Sequence, residues 1–537
     1  DMVAEVPGSA GHEVVYAGAE AKGKDIRGME IEEVYDLIEK FAEAAWRVQQ
    51  AGFDMVELHG AHGYMIAQFL SPYTNQRNDR FGGSLKNRMR FVLEIVKRIQ
   101  YKCGPDFPIG VRYSGEEWMP GSRTLDESIE IAKEMEKAGV AFLDISAGIF
   151  EASGPTMDPM YYDEGWNTYA AEAIKKAVHI PVITSHSLRS PEYCDKIIAE
   201  GKADMVGLSR QMIADPYWAN KAKAGKVSEI RKCISCLIGC WKESLYIKRE
   251  MRCAVNPAIG DERFLDLRPA TTRIKVAVVG GGIAGMEAAR IATLRGHQVT
   301  LFEKDDELGG ILRTCCMVPP KSKMKWYMDW IREQIKKLNV EVKLNTVATL
   351  NDLKNFDVVL CGTGAKTIVP DIPGVEKAIK FEEVLQCAKK NCEYWPKERT
   401  VKAVKIGQKV LVWGNHYPAT DTTEALAIRG KEVIYVTEDK EVAPNIEPIH
   451  REVMMMRFNG GNGQALEGKP FQFPVQIRLN TTVLEIKDGE VILMNENFEK
   501  ESLSVDTVVL AKTQPNTDLY DSLLAIGLKV VNIGDSK

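Results

Sequence analysis

The hydrophobic and polar positions of the first 225 residues predict helices that alternate with short strands. Between Met29 and Ala51 the apolar residues recur at helical spacing, and the predicted helix ends at Gly52. Five apolar runs with polar residues at their ends follow; they are 54–60, 108–114, 142–148, 181–186 and 204–210. Strands that alternate with helices are typical of a parallel sheet buried on both faces. Polar residues at the strand ends are typical of the active face of a (β/α)8 TIM barrel.

The number of strands is lower than such a barrel requires. A closed barrel has eight parallel strands, and the pattern shows five. We therefore expect the first three strands to lie outside the given sequence. An open five-stranded sheet is the alternative, but it would place the polar strand ends around no closed mouth.

A glycine-rich turn opens the second half of the chain. A hydrophobic strand runs into Gly280-x-Gly282-x-x-Gly285 and a helix, and a second strand ends at Glu303. The glycines permit a tight turn and close approach of a pyrophosphate at the helix N-terminus. The acidic residue is placed to hydrogen-bond a ribose hydroxyl. This arrangement predicts a Rossmann-type dinucleotide-binding domain.

A second unit of the same layout spans residues 409–438. Gly414 keeps the first glycine position, His416 stands at the second and Ala419 at the third. A side chain at the second position lies where the backbone should meet the pyrophosphate. We expect the fold to be kept, and NAD(P)H to bind weakly.

The length, charge and cysteine content of the chain indicate how many domains it has, which partners it lacks and which compartment it occupies. A chain of 537 residues is long enough for several domains. A net charge of −5 gives no reason to expect nucleic acid or an anionic membrane as a partner. No apolar run approaches the length of a membrane span, and we expect no signal peptide. The cysteines outside one cluster show no pairing pattern, so we expect a reducing cytoplasm.

Four cysteines form that cluster between the two halves. Cys233, Cys236, Cys240 and Cys253 have the spacing C-x2-C-x3-C-x12-C. A tight loop of three cysteines and one returning cysteine suits a [4Fe–4S] cluster. A structural zinc site, which usually shows two matched C-x2-C pairs, and disulfides are the alternatives. A redox centre between two such halves suggests an internal electron relay.

The first strand end carries candidate catalytic residues. His59, His62 and Tyr64 follow directly on the run 54–60. Two imidazoles can donate hydrogen bonds to a carbonyl or anionic oxygen, and a phenol can deliver a proton. A lone histidine would be interpreted as a loop residue that hydrogen-bonds to the backbone. Three such residues within six positions favour a catalytic site.

Three motifs together give a family resemblance. HGAHGY, NQRNDRFGGSLKNRMRF and the cysteine spacing resemble the Old Yellow Enzyme-like flavoproteins from about residue 29 to the end of the chain. The similar subgroup is the iron–sulfur one, which includes 2,4-dienoyl-CoA, 2-enoate and naphthoyl-CoA reductases and, more distantly, trimethylamine dehydrogenase. The resemblance implies FMN in the barrel, a [4Fe–4S] cluster beside it and FAD in the next domain.

The resemblance also assigns roles to residues of the barrel. It implies that His59 and His62 meet the activating oxygen of the substrate and that Tyr64 is the proton donor. It implies that Arg112 lies at the N1–C2 carbonyl side of the flavin. The residues implied around the FMN phosphate, between the last two strand ends, are Ser185, His186, Ser187, Ser209 and Arg210.

In the second half, the resemblance is to disulfide-reductase-like flavoproteins. Gly309-Gly310, the turn 361–366 and the segment 532–536 are similar to their FAD-binding pattern. Asp535 would reach the ribityl chain or the phosphates. Because the similar proteins continue with a helix after Lys537, the second part of the FAD domain is expected to be truncated.

The sequence departs from the family pattern in two ways, at the FMN phosphate and at the second catalytic histidine. The similar proteins carry Gly-Arg or Asn-Arg where His186 and Ser187 stand, and Gly-Arg where Ser209 and Arg210 stand. Of the implied phosphate contacts, only Arg210 therefore matches the family pattern. Dienoyl-CoA reductases also carry a second catalytic histidine, and Phe150 stands at the aligned position with Glu151 beside it. A two-residue proton relay is therefore in doubt.

The predicted architecture is a TIM barrel followed by a disulfide-reductase-like pair of Rossmann-type domains. The predicted boundaries are 1–225 for the partial FMN barrel, 226–270 for the cluster segment, 271–385 and 501–537 for the two parts of the FAD domain, and 386–500 for the inserted NAD(P)-type domain.

The predicted function is a multi-cofactor oxidoreductase. It would reduce a conjugated C=C bond of an enoate, an enoyl- or dienoyl-CoA or an aryl-CoA, with electrons passing from FAD through the cluster to FMN. Expected partners are that small molecule, an electron-donor protein if NAD(P)H is not the donor, and further copies of the chain in a homo-oligomer.

Two other functions are weighed against this one. One is an amine dehydrogenase, for which Tyr161, Tyr162 and Trp166 would form an aromatic cage around a cation; a packed aromatic loop is the plainer interpretation of those residues. The other is a catalytically silent electron-transfer subunit, against which the His-His-Tyr set argues.

Overall fold

The computed structural model describes residues 28–263, 267–387, 404–461 and 471–537. The chain divides into two compact units. The barrel unit holds the described residues up to Val227 together with Leu237–Cys253, and the dinucleotide unit holds Ser228–Cys236 and the described residues from Ala254 on. The predicted cluster segment, 226–270, is therefore shared between the units. Residue 1, where the barrel domain is predicted to start, lies outside the described residues. Residues 388–403 and 462–470 of the predicted inserted domain also lie outside them.

The barrel unit alternates strands and helices in the predicted order. Its strands are β1 (Val56–Gly60), β2 (Ile109–Ser114), β3 (Phe142–Ser146), β4 (Val182–Thr184) and β5 (Met205–Val206). Its α-helices are α1 (Ile31–Gln50), α2 (Met65–Leu70), α3 (Leu85–Cys103), α4 (Leu125–Lys137), α5 (Ser153–Met157), α6 (Thr168–Lys175), α7 (Pro191–Ala199), α8 (Arg210–Ala214) and α9 (Trp218–Lys223). The five strands form one parallel sheet in the order β1-β2-β3-β4-β5, which confirms the predicted barrel-type succession.

Helix α1 shows how the sequence pattern produces this layer. Val34, Ile38 and Ala42 recur every four residues and are buried on one face. Glu30 and Glu33 form a reciprocal capping box that satisfies backbone N–H groups at the helix start. The apolar face of α1 joins the core that lies between the sheet and its helices.

The register of the sheet aligns polar residues across neighbouring strands. His59 in β1 pairs with Arg112 in β2, and Arg112 pairs with Asp144 in β3. Ser114 and Ser146 pair in the next layer towards the carboxyl ends of the strands. Residues in register on parallel strands project to the same side of a sheet, so these side chains share one face.

The dinucleotide unit contains two parallel sheets. Its strands are β6 (Lys275–Val279), β7 (Gln298–Phe302), β8 (Glu341–Lys343), β9 (Val358–Cys361), β10 (Ala365–Thr367), β11 (Ile379–Lys380), β12 (Lys409–Gly414), β13 (Glu432–Val436), β14 (Gln476–Arg478), β15 (Thr482–Lys487), β16 (Glu490–Met494), β17 (Lys500–Ser504), β18 (Thr507–Ala511), β19 (Thr513–Pro515) and β20 (Val530–Asn532). Its α-helices are α10 (Ile283–Leu294), α11 (Leu312–Cys315), α12 (Met324–Lys337), α13 (Leu350–Leu353), α14 (Phe381–Cys387), α15 (Tyr417–Ile428), α16 (Pro448–Phe458) and α17 (Asp518–Ala525). The two parallel sheets have the orders β20-β9-β6-β7-β8 and β11-β18-β12-β13-β14.

The first of these sheets is built from both ends of the unit. Strand β20 pairs with β9, although the whole second sheet lies between them in sequence. This order confirms the predicted pair of Rossmann-type domains with one inserted into the other. The second sheet includes β11 and β18, two strands that lie outside the predicted bounds of 386–500; those bounds stay a prediction.

Candidate active site and cofactor sites

The end of β1 brings the predicted His-His-Tyr set together. The ring of His59 lies 5.2 Å from that of His62 and 5.0 Å from that of Tyr64, measured between centroids. The turn is tight because His62 and Gly63 both have positive φ angles, of 62° and 79°. A Cβ atom at Gly63 would lie 2.8 Å from the ring of Phe150, so only glycine fits there. The predicted catalytic residues therefore form one cluster.

Ser146, at the end of β3, connects this cluster to the rest of the barrel mouth. Its Oγ lies 2.6 Å from His62 Nε2 and 2.9 Å from His186 Nε2, and Arg112 Nη2 donates to it at 3.3 Å. A serine hydroxyl offers one proton and two lone pairs. Because Arg112 uses one lone pair, one imidazole donates to Ser146 and the other accepts from it. The tautomers of His62 and His186 are thus coupled through Ser146, a contact that the sequence analysis missed.

The histidines of the barrel mouth are neutral at neutral pH. Burial lowers the pKa of His62 well below its usual value, and the Arg112 cation lowers it further. Desolvation, and then the Arg112 cation, also lowers the pKa of His59 below its usual value. The same two causes lower the pKa of His186 to about 3. Desolvation disfavours the charged imidazolium, so these rings act as hydrogen-bonding groups rather than as cations.

Arg112 lies beside this cluster and is paired with a carboxylate. Its Nη1 donates to Asp144 Oδ2, so its charge is partly neutralised before any flavin binds. Asp144 Oδ1 and Thr184 Oγ1 are buried without a hydrogen-bond partner in the described part of the chain. Buried polar atoms normally find a partner. The ends of β3 and β4 therefore fit a polar ligand such as FMN.

The residues implied at the FMN phosphate occupy different surroundings. Ser187 Oγ and Arg210 Nη2 both donate to the carboxylate of Asp158. Ser185 Oγ instead donates to the carbonyl oxygen of Ile145 at 3.0 Å, and Ser209 is exposed at the start of α8. His186 Nδ1 also lies 3.6 Å from Asp158 Oδ2. The structure thus brings together three of the implied residues and adds Asp158 to them.

The backbone explains one departure from the family pattern. His186 and Ser187 have φ angles of 82° and 54°, a region that glycine and asparagine adopt more readily than other residues. Gly or Asn is the residue type expected at His186 from the resemblance. Here His186 keeps that backbone conformation and adds an imidazole, which contacts Ser146.

Arg189 is a second guanidinium near Ser187 that the sequence analysis missed. Its side chain is 1% exposed, its Nη1 donates to the carbonyl oxygen of Ser187, and its Nη2 lies 3.3 Å from Ser187 Oγ. The family pattern places an arginine at 187, so an arginine two residues later was the available signal. Arg189 thus contacts the Ser187 hydroxyl, and Arg210 contacts the Asp158 carboxylate to which that hydroxyl donates.

The aromatic residues considered for an amine cage are packed. Tyr161 and Tyr162 are 2% and 0% exposed, and the ring of Tyr162 lies 4.9 Å from that of Trp166. Buried tyrosine rings offer no open face to a cation. The arrangement favours a packed aromatic loop over a cage.

In the dinucleotide unit, the first fingerprint has the geometry that a pyrophosphate needs. A Cβ atom at Gly280 would lie 2.2 Å from the oxygen of Gly362, and one at Gly285 would lie 1.9 Å from the oxygen of Gly280. Nothing lies within 4 Å of the corresponding position at Gly282, the N-cap residue of α10. The backbone there is open to a ligand, as the fingerprint predicts.

The other residues predicted for FAD surround the same helix start. Gly310 lies against Gly282, with its Cβ position 3.0 Å from the Cα atom of Gly282. Glu303 is 5% exposed and accepts the N–H of Gly281 at 2.7 Å. Asp535 lies in the turn Gly534–Ser536, and the Cβ position of Gly534 is 2.6 Å from Ala284 Cβ. The donor set fits a dinucleotide such as FAD.

The second fingerprint carries an imidazole at the position of the second glycine. His416 is the N-cap residue of α15, and its ring lies 5.0 Å from the ring of Tyr417. Tyr417 in turn lies under the ammonium of Lys321, 4.1 Å from the ring centroid. Where Gly282 is open, this turn carries an exposed imidazole, and weak NAD(P)H binding stays a prediction.

The four cysteines of the predicted cluster are divided between the units. Cys233 and Cys236 belong to the dinucleotide unit, and Cys240 and Cys253 to the barrel unit. Within the described ranges, no group of three or more His, Cys, Asp or Glu side chains is arranged to hold a metal ion. The cluster assignment therefore remains a prediction that rests on the donor set and its spacing.

Local contacts in each unit suit cysteine ligands. The N–H of Ser235 lies 3.4 Å from Cys233 Sγ, and such N–H groups stabilise cluster thiolates. Arg252 N–H donates to the oxygen of Gly239 at 3.1 Å. This bond holds the residues next to Cys240 and Cys253 together.

A barrel with a polar mouth, joined to an open dinucleotide fingerprint, defines a flavin-dependent oxidoreductase. Residues 3–229 match the NADH:flavin oxidoreductase / NADH oxidase family, and residues 274–534 match the pyridine nucleotide-disulphide oxidoreductases. The chain belongs to the NADH:flavin oxidoreductase / NADH oxidase family, in its Old Yellow Enzyme-like form with a dinucleotide-binding second half. The predicted FMN of the first part and FAD of the second are confirmed at the level of these families.

Individual proteins are similar over nearly the whole chain. An NADH oxidase of Thermoanaerobacter brockii is 40% identical over 519 residues, which cover 96% of this chain and 76% of that protein. A cinnamate reductase of Clostridium sporogenes is 33% identical over 511 residues, covering 91% and 72%. The structure of 2-naphthoyl-CoA reductase in complex with 2-naphthoyl-CoA superposes with a TM-score of 0.85 at 30% identity, covering 97% of this chain and 76% of that one.

Among the described residues, no helix is long and apolar enough to cross a membrane.

Proposed function

We propose that the protein reduces the conjugated C=C bond of an enoate, an enoyl- or dienoyl-CoA thioester, or an aryl-CoA. The observation that carries the proposal is the cluster of His59, His62 and Tyr64 at the carboxyl end of β1. FMN bound across the neighbouring strand ends would supply the hydride for the β-carbon of the acceptor. The similarity to a cinnamate reductase and a 2-naphthoyl-CoA reductase supports this class of acceptor.

The two histidines would bind the carbonyl oxygen of the acceptor. Both rings are neutral because burial lowers their pKa, so each can present an N–H group without bringing a charge. The Nε2 of His62 is held on Ser146, which fixes the ring plane. Donors held in place in this way stabilise the negative charge that develops on the oxygen as the β-carbon is reduced.

Tyr64 would deliver the proton that completes the reduction. Its side chain is 42% exposed, so a substrate can reach the hydroxyl. Its ring lies 5.3 Å from that of Phe150, the residue at the position of the second catalytic histidine. The neighbour on that side is apolar, and the phenol is therefore the proton donor that the geometry favours.

Electron supply is the second part of the proposal. Cys233, Cys236, Cys240 and Cys253 would hold a [4Fe–4S] cluster, which carries one electron at a time and can connect two flavins. Gly280, Gly282, Gly285, Glu303, Gly310 and Asp535 would hold FAD. A ferredoxin-like protein or a partner flavoprotein is the proposed donor, because His416 stands at the second glycine position of the other fingerprint and should weaken NAD(P)H binding.

The test is anaerobic flavin, iron and sulfide analysis, followed by reoxidation of the reduced enzyme with three conjugated compounds. We expect cinnamate, an enoyl-CoA or 2-naphthoyl-CoA to reoxidise the flavin and to be recovered with one C=C bond reduced. A methylated amine is the control for the alternative, an amine dehydrogenase that passes electrons to an external carrier. Reduction of the oxidised enzyme by the amine, with no reaction of the other three, would overturn the proposal.

A further inference from the structure

We propose that Asp158 is an internal competitor for the flavin phosphate, so that FMN can bind only when this carboxylate leaves Ser187 and Arg210. The inference rests on the proposed placement of FMN. It concerns a residue that the sequence analysis did not assign to the site.

The carboxylate of Asp158 is held as a bound anion would be held. Its Oδ1 accepts from Arg210 Nη2. Its Oδ2 accepts from Ser187 Oγ and, at 3.3 Å, from Trp166 Nε1, and it lies 3.6 Å from His186 Nδ1. The side chain is 0% exposed. Guanidinium, hydroxyl and ring N–H groups are also the donors that bind phosphates in proteins.

Arg210 is committed to the segment around Asp158 by more than one bond. Its Nη1 donates to the carbonyl oxygen of Met157 at 2.8 Å and lies 3.4 Å from that of Asp158. The φ angle of Asp158 is 37°, in the left-handed region that aspartate adopts less readily than glycine. A conformation that is less favourable in itself is kept here by these contacts, and a stronger anion can displace it.

A phosphate and the Asp158 carboxylate cannot share Ser187 and Arg210. Both are anions that use the same two donors, and like charges at contact distance repel. Arg189, which also lies on Ser187, supplies the second positive charge that a doubly charged phosphate would need. The turn after α5 must therefore move for the phosphate to enter.

The test compares two ligands that differ only in the phosphate. FMN is removed from the purified full chain, FAD is restored, and FMN or riboflavin is titrated by the quenching of flavin fluorescence. We expect Asp158→Asn to bind FMN about 10-fold more tightly than the wild type. This is the effect expected when one charged group that competes with the phosphate for its hydrogen-bond donors is removed. Riboflavin affinity should be unchanged. Asp158→Ser removes the same charge and serves if the asparagine variant does not fold, and Asp163→Asn, an exposed carboxylate on the same loop, is the matched control.

Arg210→Ala separates this inference from the placement of FMN. If this variant binds FMN as well as the wild type does, the phosphate lies elsewhere and both ideas are wrong. If it loses FMN affinity but keeps that for riboflavin, while Asp158→Asn binds FMN equally or more weakly, the placement holds. Asp158 then positions Arg210 instead of competing with the phosphate, and the inference is overturned.

Discussion

Single residues at the barrel mouth divide the chemistry between charge, hydrogen bonding and proton supply. Arg112 is the cation, but Asp144 neutralises much of its charge. His59, His62 and His186 are kept neutral by burial, and Ser146 fixes two of them through one hydroxyl. In the proposed reaction, proton supply is left to Tyr64, whose side chain is 42% exposed.

Replacement of Tyr64 tests its role directly. Tyr64→Phe should slow reoxidation of reduced FMN by the substrate by about 10²–10⁴-fold, the usual contribution of general acid catalysis. Reduction of FMN should be nearly unchanged, because that step needs no substrate proton. Stopped-flow absorbance measures both steps. Normal reoxidation in this variant, together with an inactive Glu151→Gln, would show that Glu151 is the acid.

The low pKa of His186 predicts how stability depends on pH. An unfolded chain takes up a proton near the ordinary histidine pKa of 6.5, whereas folded His186 does so only near 3. The unfolded state therefore binds more protons between these values, and the stability due to neutral His186 is complete above 6.5 and decreases as pH falls. In the wild type, the free energy of unfolding should therefore decrease as pH falls below 6.5. In His186→Gln this decrease should be smaller, by up to about 1.4 kcal/mol for each pH unit.

Urea unfolding between pH 7 and 5, followed by tryptophan fluorescence, checks this expectation. His179→Gln is the matched control, because the side chain of His179 is exposed. Equal pH dependence of the wild type and His186→Gln would contradict a buried neutral imidazole.

Among the elements of the dinucleotide unit, the inserted sheet is fixed to the FAD-type part by a buried ion pair. Lys321 precedes α12 and Asp421 lies in α15; their side chains are 1% and 5% exposed. Asp421→Asn would leave the ammonium buried without its counter-charge. We expect a loss of about 3 kcal/mol in the free energy of unfolding.

Thermal or urea unfolding of this unit measures the loss. The double variant Lys321→Met, Asp421→Leu should recover most of it, because a buried pair can be replaced by apolar residues. An equal loss in both variants would show that the packing of the two side chains matters rather than their charges.

The start of α15 determines whether NADH can reduce the enzyme. With His416 at the second glycine position, NADH should bind weakly, and His416→Gly should tighten binding by at least about 10-fold, or about 1.4 kcal/mol. Anaerobic stopped-flow reduction of FAD measures this, with Asn415→Gly as the control. If micromolar NADH reduces the FAD of the wild type within milliseconds, this account of α15 is wrong.

At the scale of the whole molecule, the features that could be predicted from the sequence are those that short stretches of consecutive residues determine. The strand ends and the first fingerprint were predictable, because buried parallel strands and glycine turns are encoded in consecutive residues. Ser146, Asp158 and Arg189 were not assigned, because their contacts depend on strand register and on loops distant in sequence. Strand β18 was assigned to the FAD domain for the same reason: its pairing with β12 is not visible from sequence order.

The proposed relay between the units depends on the cysteine set. Cys236→Ser should lose most of the iron and acid-labile sulfide and should disconnect FAD from FMN. Direct chemical reduction of FMN should persist. Colorimetric iron and sulfide assays check this. One zinc per chain without sulfide in the wild type would contradict the cluster.

The most direct test of the account counts the product that the fully reduced enzyme forms when no further electrons are supplied. The fully reduced chain would hold about five electrons, two in each flavin and one in the cluster, and each C=C bond takes two. Mixed anaerobically with excess cinnamate or 2-naphthoyl-CoA, the wild type should yield about two reduced products per chain, and Cys236→Ser about one. A single product from the wild type would contradict the relay, and no product from any conjugated acceptor would contradict the proposed reaction.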